Sequence, residues 1–102
     1  MFDVAKIRQD FPILKKTMEN KPLIYFDNAA TTFKPQSVID AVTNYYLNES
    51  VNIHRGDYQL SHDVSTHFEE VRQKTADFIG AQKKEIIFTS GASEALNIVA
   101  MG

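Results

Sequence analysis

The sequence contains no cysteine among its 102 residues. This absence excludes a disulfide scaffold, a thiolate metal site and a cysteine nucleophile within the chain. Long apolar runs are also absent, so no stretch has the length of a membrane span, and the N-terminal residues alternate apolar and charged side chains where a signal peptide would have an apolar core. The sequence therefore predicts no membrane association and, by default, a cytoplasmic location.

An excess of charge of one sign is missing as well. The 11 basic and 13 acidic residues give a net charge of −2, and no basic stripe interleaved with aromatic residues is present. Nucleic acid is therefore not an expected partner. His62 and His67 are five residues apart on a predicted helix, a poor spacing for sharing a metal ion, so we expect no metal site. The 43% hydrophobic content is typical of a chain that folds, and the length supports one modest domain with a thin core.

Hydrophobic periodicity predicts four helices and two short strands. The first half of the chain has a helix over Phe2–Phe11 capped by Asp3, a strand over Leu23–Phe26, and a helix with Pro35 in its first turn that extends to about Leu47. The second half has a helix capped by Ser61 and stopped by Gly80, a strand over Lys83–Thr89, and a helix from Ser93 onward. Lys15–Pro22 and Asn48–Leu60 are predicted loops. The order indicates an α/β fold, in which two strands are too few for a complete sheet and form one edge of a larger layered structure.

The turn around Gly91 is the first candidate binding site. Glycine lets the backbone approach a ligand closely, and the N–H groups of Ala92, Ser93 and Glu94 are expected to be free at the start of the last helix. Their aligned dipoles favour an anion such as a phosphate. Further donors are the hydroxyls of Thr89, Ser90 and Ser93. The alternative is that glycine and serine only turn the chain and cap the helix.

The same residues nearly match the nucleophile elbow Gly-x-Ser-x-Gly of hydrolases, with Ser93 as the nucleophile and Ala95 in place of the last glycine. In that arrangement an acid and then a histidine follow the serine. After Ser93 the only ionisable residue is Glu94, and no histidine occurs. The hydrolase interpretation is therefore unsupported by this sequence.

Two other segments carry groups that could bind a ligand. Arg55 could hold a carboxylate through two parallel hydrogen bonds, and His54 is a side chain that titrates near neutrality. The alternative is an ordinary surface loop with an ion pair, for example to Asp57. Asn28-Ala29-Ala30 follows the first predicted strand and is either a simple Asx turn or a place where small residues leave room for a ligand.

Three parts of the chain together carry a resemblance to a known family: Tyr25–Thr32 with Lys34–Ala41, then Asn52–Gly56 with Leu60-Ser61, and then Phe88–Ala100. They resemble the N-terminal region of class V aminotransferase-fold enzymes, and in order and spacing most of all the SUF-type cysteine desulfurases. The resemblance extends from about Phe11 to Gly102. The His-Arg-Gly segment that begins at His54 is typical of the SUF type and not of the ISC/NIF type.

The resemblance implies a homodimeric fold-type I enzyme that uses pyridoxal 5′-phosphate. Such an enzyme removes sulfur from L-cysteine, leaves alanine, and passes a persulfide to a sulfur-acceptor protein for iron–sulfur cluster assembly. The matching positions assign the cofactor phosphate to Gly91, Ala92 and Ser93, the border of the substrate to Asn28, Ala29 and Ala30, and the active-site mouth near the dimer interface to His54 and Arg55.

The Schiff-base lysine, the aspartate on the pyridine nitrogen, the stacking histidine and the persulfide cysteine of this family all come later than the matched region. We therefore expect no catalytic residue in the chain. Residues 1–102 are expected to be an N-terminal fragment of a pyridoxal-phosphate-dependent transferase domain, part of a three-layer α/β/α fold and inactive alone. The alternatives are a non-catalytic small domain that binds an anion or a protein, another class V aminotransferase, or an enzyme that acts on selenocysteine.

Overall fold

The computed structural model describes residues 2–102. Its internal contacts divide the chain into two compact units, the first ending at Ser50 and the second spanning Val51–Gly102. Each unit contains two of the predicted helices.

The first unit begins with α1, Val4–Gln9, whose first turn is capped by the Asp3 carboxylate accepting from the Lys6 N–H at 3.1 Å. The predicted cap is therefore confirmed. A 3₁₀ turn, Pro12–Lys15, leads into a two-stranded antiparallel hairpin, β1 (Thr17–Met18) and β2 (Lys21–Pro22). Both residues of its tight turn have positive φ, 51° at Glu19 and 61° at Asn20, as a type I′ hairpin turn requires.

The predicted strand over Leu23–Phe26 is wrong, and the hairpin lies in the segment predicted as a loop. An extended segment becomes a strand only when a neighbour accepts and donates its backbone hydrogen bonds. Within residues 2–102 this segment finds one such bond, from the Leu23 N–H to the Lys16 carbonyl at 3.3 Å. The apolar run has no partner strand among these residues.

Helix α2 spans Gln36–Asn44 and continues as a π-helical turn over Tyr45–Glu49, so the predicted second helix is confirmed. Pro35 is its N-cap residue, with φ −67° and ψ 157°, and not a residue of the first turn. The apolar face is exposed: Val42 keeps 51% of its accessible surface and Tyr46 keeps 71%. The helix forms, yet its unit supplies little to cover it.

The second unit is built on α3, Gln59–Ile79. Gly80 ends the helix in the left-handed conformation, with φ 70° and ψ 29°, which confirms the predicted stop. The predicted cap at Ser61 is wrong, because the helix starts two residues earlier with Tyr58 as its N-cap. Ser61 is instead buried in the first turn, where its hydroxyl donates to the Asn52 carbonyl at 2.7 Å.

The predicted strand over Lys83–Thr89 is also wrong. Lys83–Glu85 forms a 3₁₀ turn closed by reciprocal hydrogen bonds between Gln82 and Glu85, and residues 86–89 are extended without a strand partner. Helix α4, Ala92–Met101, follows. The buried residues of the described chain are few: Ser61, Val64, Ala76 and Ile86, all in this unit. In residues 2–102, none of the helices combines the length and apolar character needed to cross a membrane.

Candidate functional site

The turn before α4 presents free backbone donors. Gly91 is the N-cap residue and has no side chain to cap the helix. The first intrahelical bond runs from the Ala95 N–H to the Gly91 carbonyl at 3.1 Å. Within the described residues, the N–H groups of Ala92, Ser93 and Glu94 therefore have no acceptor. This is the arrangement that favours an anion at a helix start.

An acidic side chain lies in the same first turn but is held by the residue before it. The Glu94 carboxylate accepts from the Ser90 N–H at 2.6 Å and from the Ser90 hydroxyl at 2.7 Å. These two hydrogen bonds, first the hydroxyl and then the N–H, lower the pKa of Glu94 from its usual value. The carboxylate stays ionised at neutral pH and braces the turn, while the three helical N–H groups remain free.

The hydroxyls predicted as extra donors have different roles. Thr89 donates its hydroxyl to the Gly91 carbonyl at 3.1 Å, and Ser90 donates to Glu94. Both bonds are local to the turn. Of the three hydroxyls, the Ser93 hydroxyl alone makes no hydrogen bond in residues 2–102, so it is the one that can join the backbone donors.

Two glycines of this unit differ in what surrounds them. A Cβ at Gly91 would meet no atom within 4 Å, and its φ of 163° is extended backbone. The chain's own packing does not require glycine at this position, and open space lies against the turn. A Cβ at Gly56 would lie 2.5 Å from the Ser61 hydroxyl and 2.6 Å from Tyr58 Cε1. Gly56 is therefore needed for the close approach of its loop to α3.

His54 is fixed against α3 from three sides. Its φ is 64°, an uncommon value for a residue with a Cβ. Its N–H donates to the Ser65 hydroxyl at 2.9 Å, its Nε2 lies 3.7 Å from Glu69 Oε1, and its ring meets the Phe68 ring edge-on at 5.8 Å between centroids. These contacts hold the backbone in its strained conformation.

Arg55 has no ion pair with Asp57. The Asp57 carboxylate faces His62 instead, with 3.9 Å between Oδ1 and Nε2. Arg55 is exposed, and no acceptor for its guanidinium lies within hydrogen-bond distance among residues 2–102. The guanidinium is thus free to bind a carboxylate from outside the described chain.

Sequence reasoning missed a charged cluster centred on Glu69. Glu69 Oε2 lies 3.0 Å from Lys83 Nζ, and Oε1 lies 3.4 Å from Arg72 Nε. The hydrogen bond from Lys83 is the main reason that the pKa of Glu69 lies below its usual value, with Arg72 and the charge of Lys83 adding to it. The available signal was the spacing of Glu69 and Arg72, three residues apart on one helix.

Arg72 also contacts the segment that leads to the turn. Its Nη1 donates to the Ile86 carbonyl. Its guanidinium carbon lies 5.2 Å from the centroid of the Phe68 ring and 5.3 Å from that of Phe88. The two rings meet edge-on at 5.5 Å. One side chain therefore links α3 to both ends of the extended stretch before the turn.

The remaining candidates lie in the first unit. Asn28, Ala29 and Ala30 are exposed, and the Asn28 side chain makes no hydrogen bond in the described chain. Just before them Tyr25 stacks on Phe33 at 4.3 Å. Asn28 lines an open depression whose walls include these two rings. His54, Arg55 and the Gly91 turn belong to the second unit, whereas residues 28–30 belong to the first.

The sequence over residues 24–102 matches the model of the aminotransferase class-V family. The chain belongs to this family, as the resemblance predicted.

Within the family, the relatives are cysteine desulfurases. The chain is 52% identical over 101 residues to a probable cysteine desulfurase of Mycolicibacterium paratuberculosis, covering 98% of this chain and 15% of that protein. It is 47% identical over 94 residues to the cysteine desulfurase SufS of Plasmodium falciparum, covering 91% of this chain and 17% of that protein.

A solved structure shows the same similarity. The apo structure of the cysteine desulfurase from Thermococcus onnurineus NA1 matches with a TM-score of 0.87 at 42% identity, over 100% of this chain and 24% of that one. The predicted fold class, part of a pyridoxal-phosphate transferase fold with too few strands for a complete sheet, is confirmed. The chain spans about a quarter or less of the length of the desulfurases named above.

Proposed function

We propose that residues 1–102 form the N-terminal part of a cysteine desulfurase that uses pyridoxal 5′-phosphate. The whole enzyme would remove sulfur from L-cysteine, giving L-alanine and an enzyme persulfide for iron–sulfur cluster assembly. The observation that carries the proposal is the first turn of α4, whose N–H groups at Ala92, Ser93 and Glu94 lack acceptors in the described chain. Relatives named as cysteine desulfurases support this reaction over that of another class V aminotransferase.

The residues of the turn fit a phosphate group. Three converging backbone donors and the Ser93 hydroxyl supply hydrogen bonds, and the helix dipole favours negative charge. The turn is open at Gly91, where even a Cβ would meet no atom within 4 Å. The nearby Glu94 carboxylate is already bound by Ser90. Gly91, Ala92 and Ser93 are therefore proposed to hold the cofactor phosphate.

Bound pyridoxal phosphate supplies an electron sink for the Cα of an amino-acid substrate. The proposed part of this chain is to bind and orient. Arg55, which has no acceptor among residues 2–102, suits a substrate carboxylate, and His54 is held rigidly next to it. Asn28, Ala29 and Ala30 are proposed to border the substrate. No catalytic residue is assigned to residues 1–102, so the chain alone should be inactive.

The same proposal includes the setting of the enzyme. We place it in the cytoplasm, as a homodimer that takes L-cysteine as substrate and delivers sulfur to an acceptor protein. The names of the relatives support L-cysteine as the substrate, and membership of the aminotransferase class-V family supports the homodimer.

A substitution at Ala92 tests the phosphate turn without disturbing the helix. Proline is well accepted at the first helical position, and the extended backbone of Gly91 suits the residue before a proline. Ala92→Pro therefore deletes one donor and little else. In the full-length protein we expect pyridoxal phosphate to bind about tenfold more weakly, the effect of losing one hydrogen bond to a charged group. Ala92→Val, which keeps the N–H, is the matched control.

If the Ala92→Pro and Ala92→Val proteins bound pyridoxal phosphate equally well, this would contradict the assignment of the turn as the phosphate site. The reaction is tested separately, by measuring alanine formed from L-cysteine by the full-length protein with pyridoxal phosphate. If inorganic phosphate binds at the turn while no alanine is formed, the non-catalytic anion-binding domain is the better description. Alanine formation by the 102-residue chain itself would overturn the claim that it is inactive alone.

A further inference from the structure

The stretch Ile86–Thr89 leads directly into the phosphate turn. Contacts that hold this stretch therefore also influence where the turn begins. Contacts of this kind reach it from α3.

Arg72 makes two of these contacts. It projects from the middle of α3, is 22% exposed, and donates to the Ile86 carbonyl. Its guanidinium also lies against the Phe88 ring, two residues further along. The hydrogen bond holds the backbone at Ile86, and the ring contact holds the side chain of Phe88.

The arginine is itself held in place. Glu69 accepts from its Nε at 3.4 Å, and Phe68 packs on the guanidinium from the α3 side. An arginine offers a flat group that can stack on rings and donate in its plane at the same time, which a lysine ammonium cannot do. The Arg72 guanidinium does both, because it lies against two rings and donates to the Ile86 carbonyl.

Three residues, Thr89, Ser90 and Gly91, separate Phe88 from α4, and hydrogen bonds hold them in place. Thr89 bonds to the Gly91 carbonyl, and Ser90 bonds to Glu94 by both its N–H and its hydroxyl. A displacement of Phe88 would therefore also move the N-terminus of α4, because hydrogen bonds hold the residues between them. The direction of the three free N–H groups depends on where Arg72 holds the stretch.

We propose that Arg72 is the positioning residue of the phosphate turn. It fixes Ile86 and Phe88 against α3 and thereby aligns the N–H groups of α4 with the phosphate, which it does not itself touch. This inference rests on the proposed function, since it concerns the phosphate site of that enzyme.

The test compares two probes on the full-length protein: pyridoxal phosphate and pyridoxal, which lacks the phosphate. The dissociation constant is measured for each probe in the wild type, Arg72→Met, Arg72→Lys and Lys74→Met. Lys74 is exposed on the same helix, so its substitution removes one positive charge without touching the stretch. Amide hydrogen exchange over residues 86–94 of the cofactor-free protein is the second readout.

Arg72→Met should weaken the binding of pyridoxal phosphate about tenfold, because a misaligned turn would lose about one of its hydrogen bonds to the charged phosphate, and should leave the binding of pyridoxal almost unchanged. For pyridoxal phosphate, Arg72→Lys should restore less than half of the affinity that Arg72→Met loses, compared as the logarithm of the dissociation constant. Lys74→Met should match the wild type for both probes. Exchange at residues 86–94 should accelerate in Arg72→Met and not in Lys74→Met.

Several results would overturn the positioning role. Equal weakening of both probes would show general destabilisation, and full recovery by Arg72→Lys would show that charge alone suffices. If Arg72→Met does not fold, Phe88→Leu keeps the hydrogen bond to Ile86 but removes the ring contact, and unchanged binding of both probes would then reject the proposal. Failure of the wild type to bind pyridoxal phosphate more tightly than pyridoxal would instead reject the proposed function.

Discussion

At the scale of single residues, Gly56 and Gly91 give opposite predictions for the same substitution. Gly56→Ala would place a Cβ 2.5 Å from the Ser61 hydroxyl, closer than real Cβ contacts. Overpacking of this kind costs about 1–3 kcal/mol of unfolding free energy. Gly91→Ala should stay within about 0.5 kcal/mol of the wild type, because its Cβ meets nothing.

The measurement is the urea midpoint of each variant of the chain, at low temperature and one protein concentration. The two glycines lie in the same unit, so the unfolding reaction being followed is the same. Similar midpoints for the two variants would show that the loop at Gly56 moves away from α3 at little cost.

The charged cluster on α3 predicts a loss of stability in acid. The folded-state pKa of Glu69 lies below its reference value of 4.5, mainly because Lys83 donates to it. A lowered folded pKa means that the contribution is present above the unfolded value and disappears as the pH falls through the folded one. The stability difference between wild type and Glu69→Gln should therefore be constant near neutral pH and vanish on acidification below about 4.5.

Glu70→Gln is the control for this prediction. Glu70 is the exposed neighbour of Glu69 and makes no ion pair in residues 2–102. Its substitution should change stability by a small amount, and it is compared with the wild type over the same range, from pH 7 to below about 4.5. The profile is recorded as urea midpoints at constant ionic strength, since salt screens exposed charges. A Glu69→Gln difference that grows on acidification would contradict the assignment.

Individual groups of the candidate site were predictable where they are local in sequence. The free N–H groups at Ala92 and Ser93 follow from a glycine just before a helix. The roles of Glu69 and Arg72 were not predictable in the same way, because they depend on residues 83–88 returning along α3. Periodicity assigns a residue to a helix face but does not say which later segment lies against that face.

At the scale of elements, the end of α3 depends on Gly80. Its φ of 70° is unfavourable for any residue with a Cβ, and no neighbouring atom lies within 4 Å of that position. Gly80→Ala should therefore destabilise the chain by about 1 kcal/mol through backbone strain alone. Gly80→Asn should cost less, since asparagine tolerates this conformation. Urea midpoints test both, and equal losses for alanine and asparagine would point to a lost side-chain contact instead.

Helices were predictable from this sequence and strands were not, for a physical reason. A helix satisfies its backbone hydrogen bonds within one segment, so the apolar spacing in Gln36–Asn44 and Gln59–Ile79 was sufficient. A strand needs a partner, and the apolar runs at Leu23–Phe26 and Lys83–Thr89 have none in the described chain. The one hairpin that forms was missed because its strands are only two residues long.

At the scale of the whole molecule, the described chain buries little of its apolar surface. It exposes 8867 Å². Even two separate compact units of half its mass would together expose only about 7,000 Å². Large apolar side chains account for much of the excess, among them Phe26 at 92% and Phe78 at 90% exposure.

We therefore predict that the isolated chain melts at low temperature or associates through its apolar helix faces. Sedimentation at several concentrations, together with a thermal scan at each, would measure this. Association should rise with concentration and fall on adding urea below the unfolding range. A monomeric chain with a cooperative transition at high temperature would contradict the prediction.

The open space at Gly91 also makes the turn suitable for a chemical reporter. Because the chain has no cysteine, Gly91→Cys would introduce its one thiol, in extended backbone and with no neighbouring atom to shield it. Its rate of alkylation would then read out occupancy directly. A bound phosphate would slow the modification, and ligands could be ranked by the protection they give, without a spectroscopic signal from the cofactor.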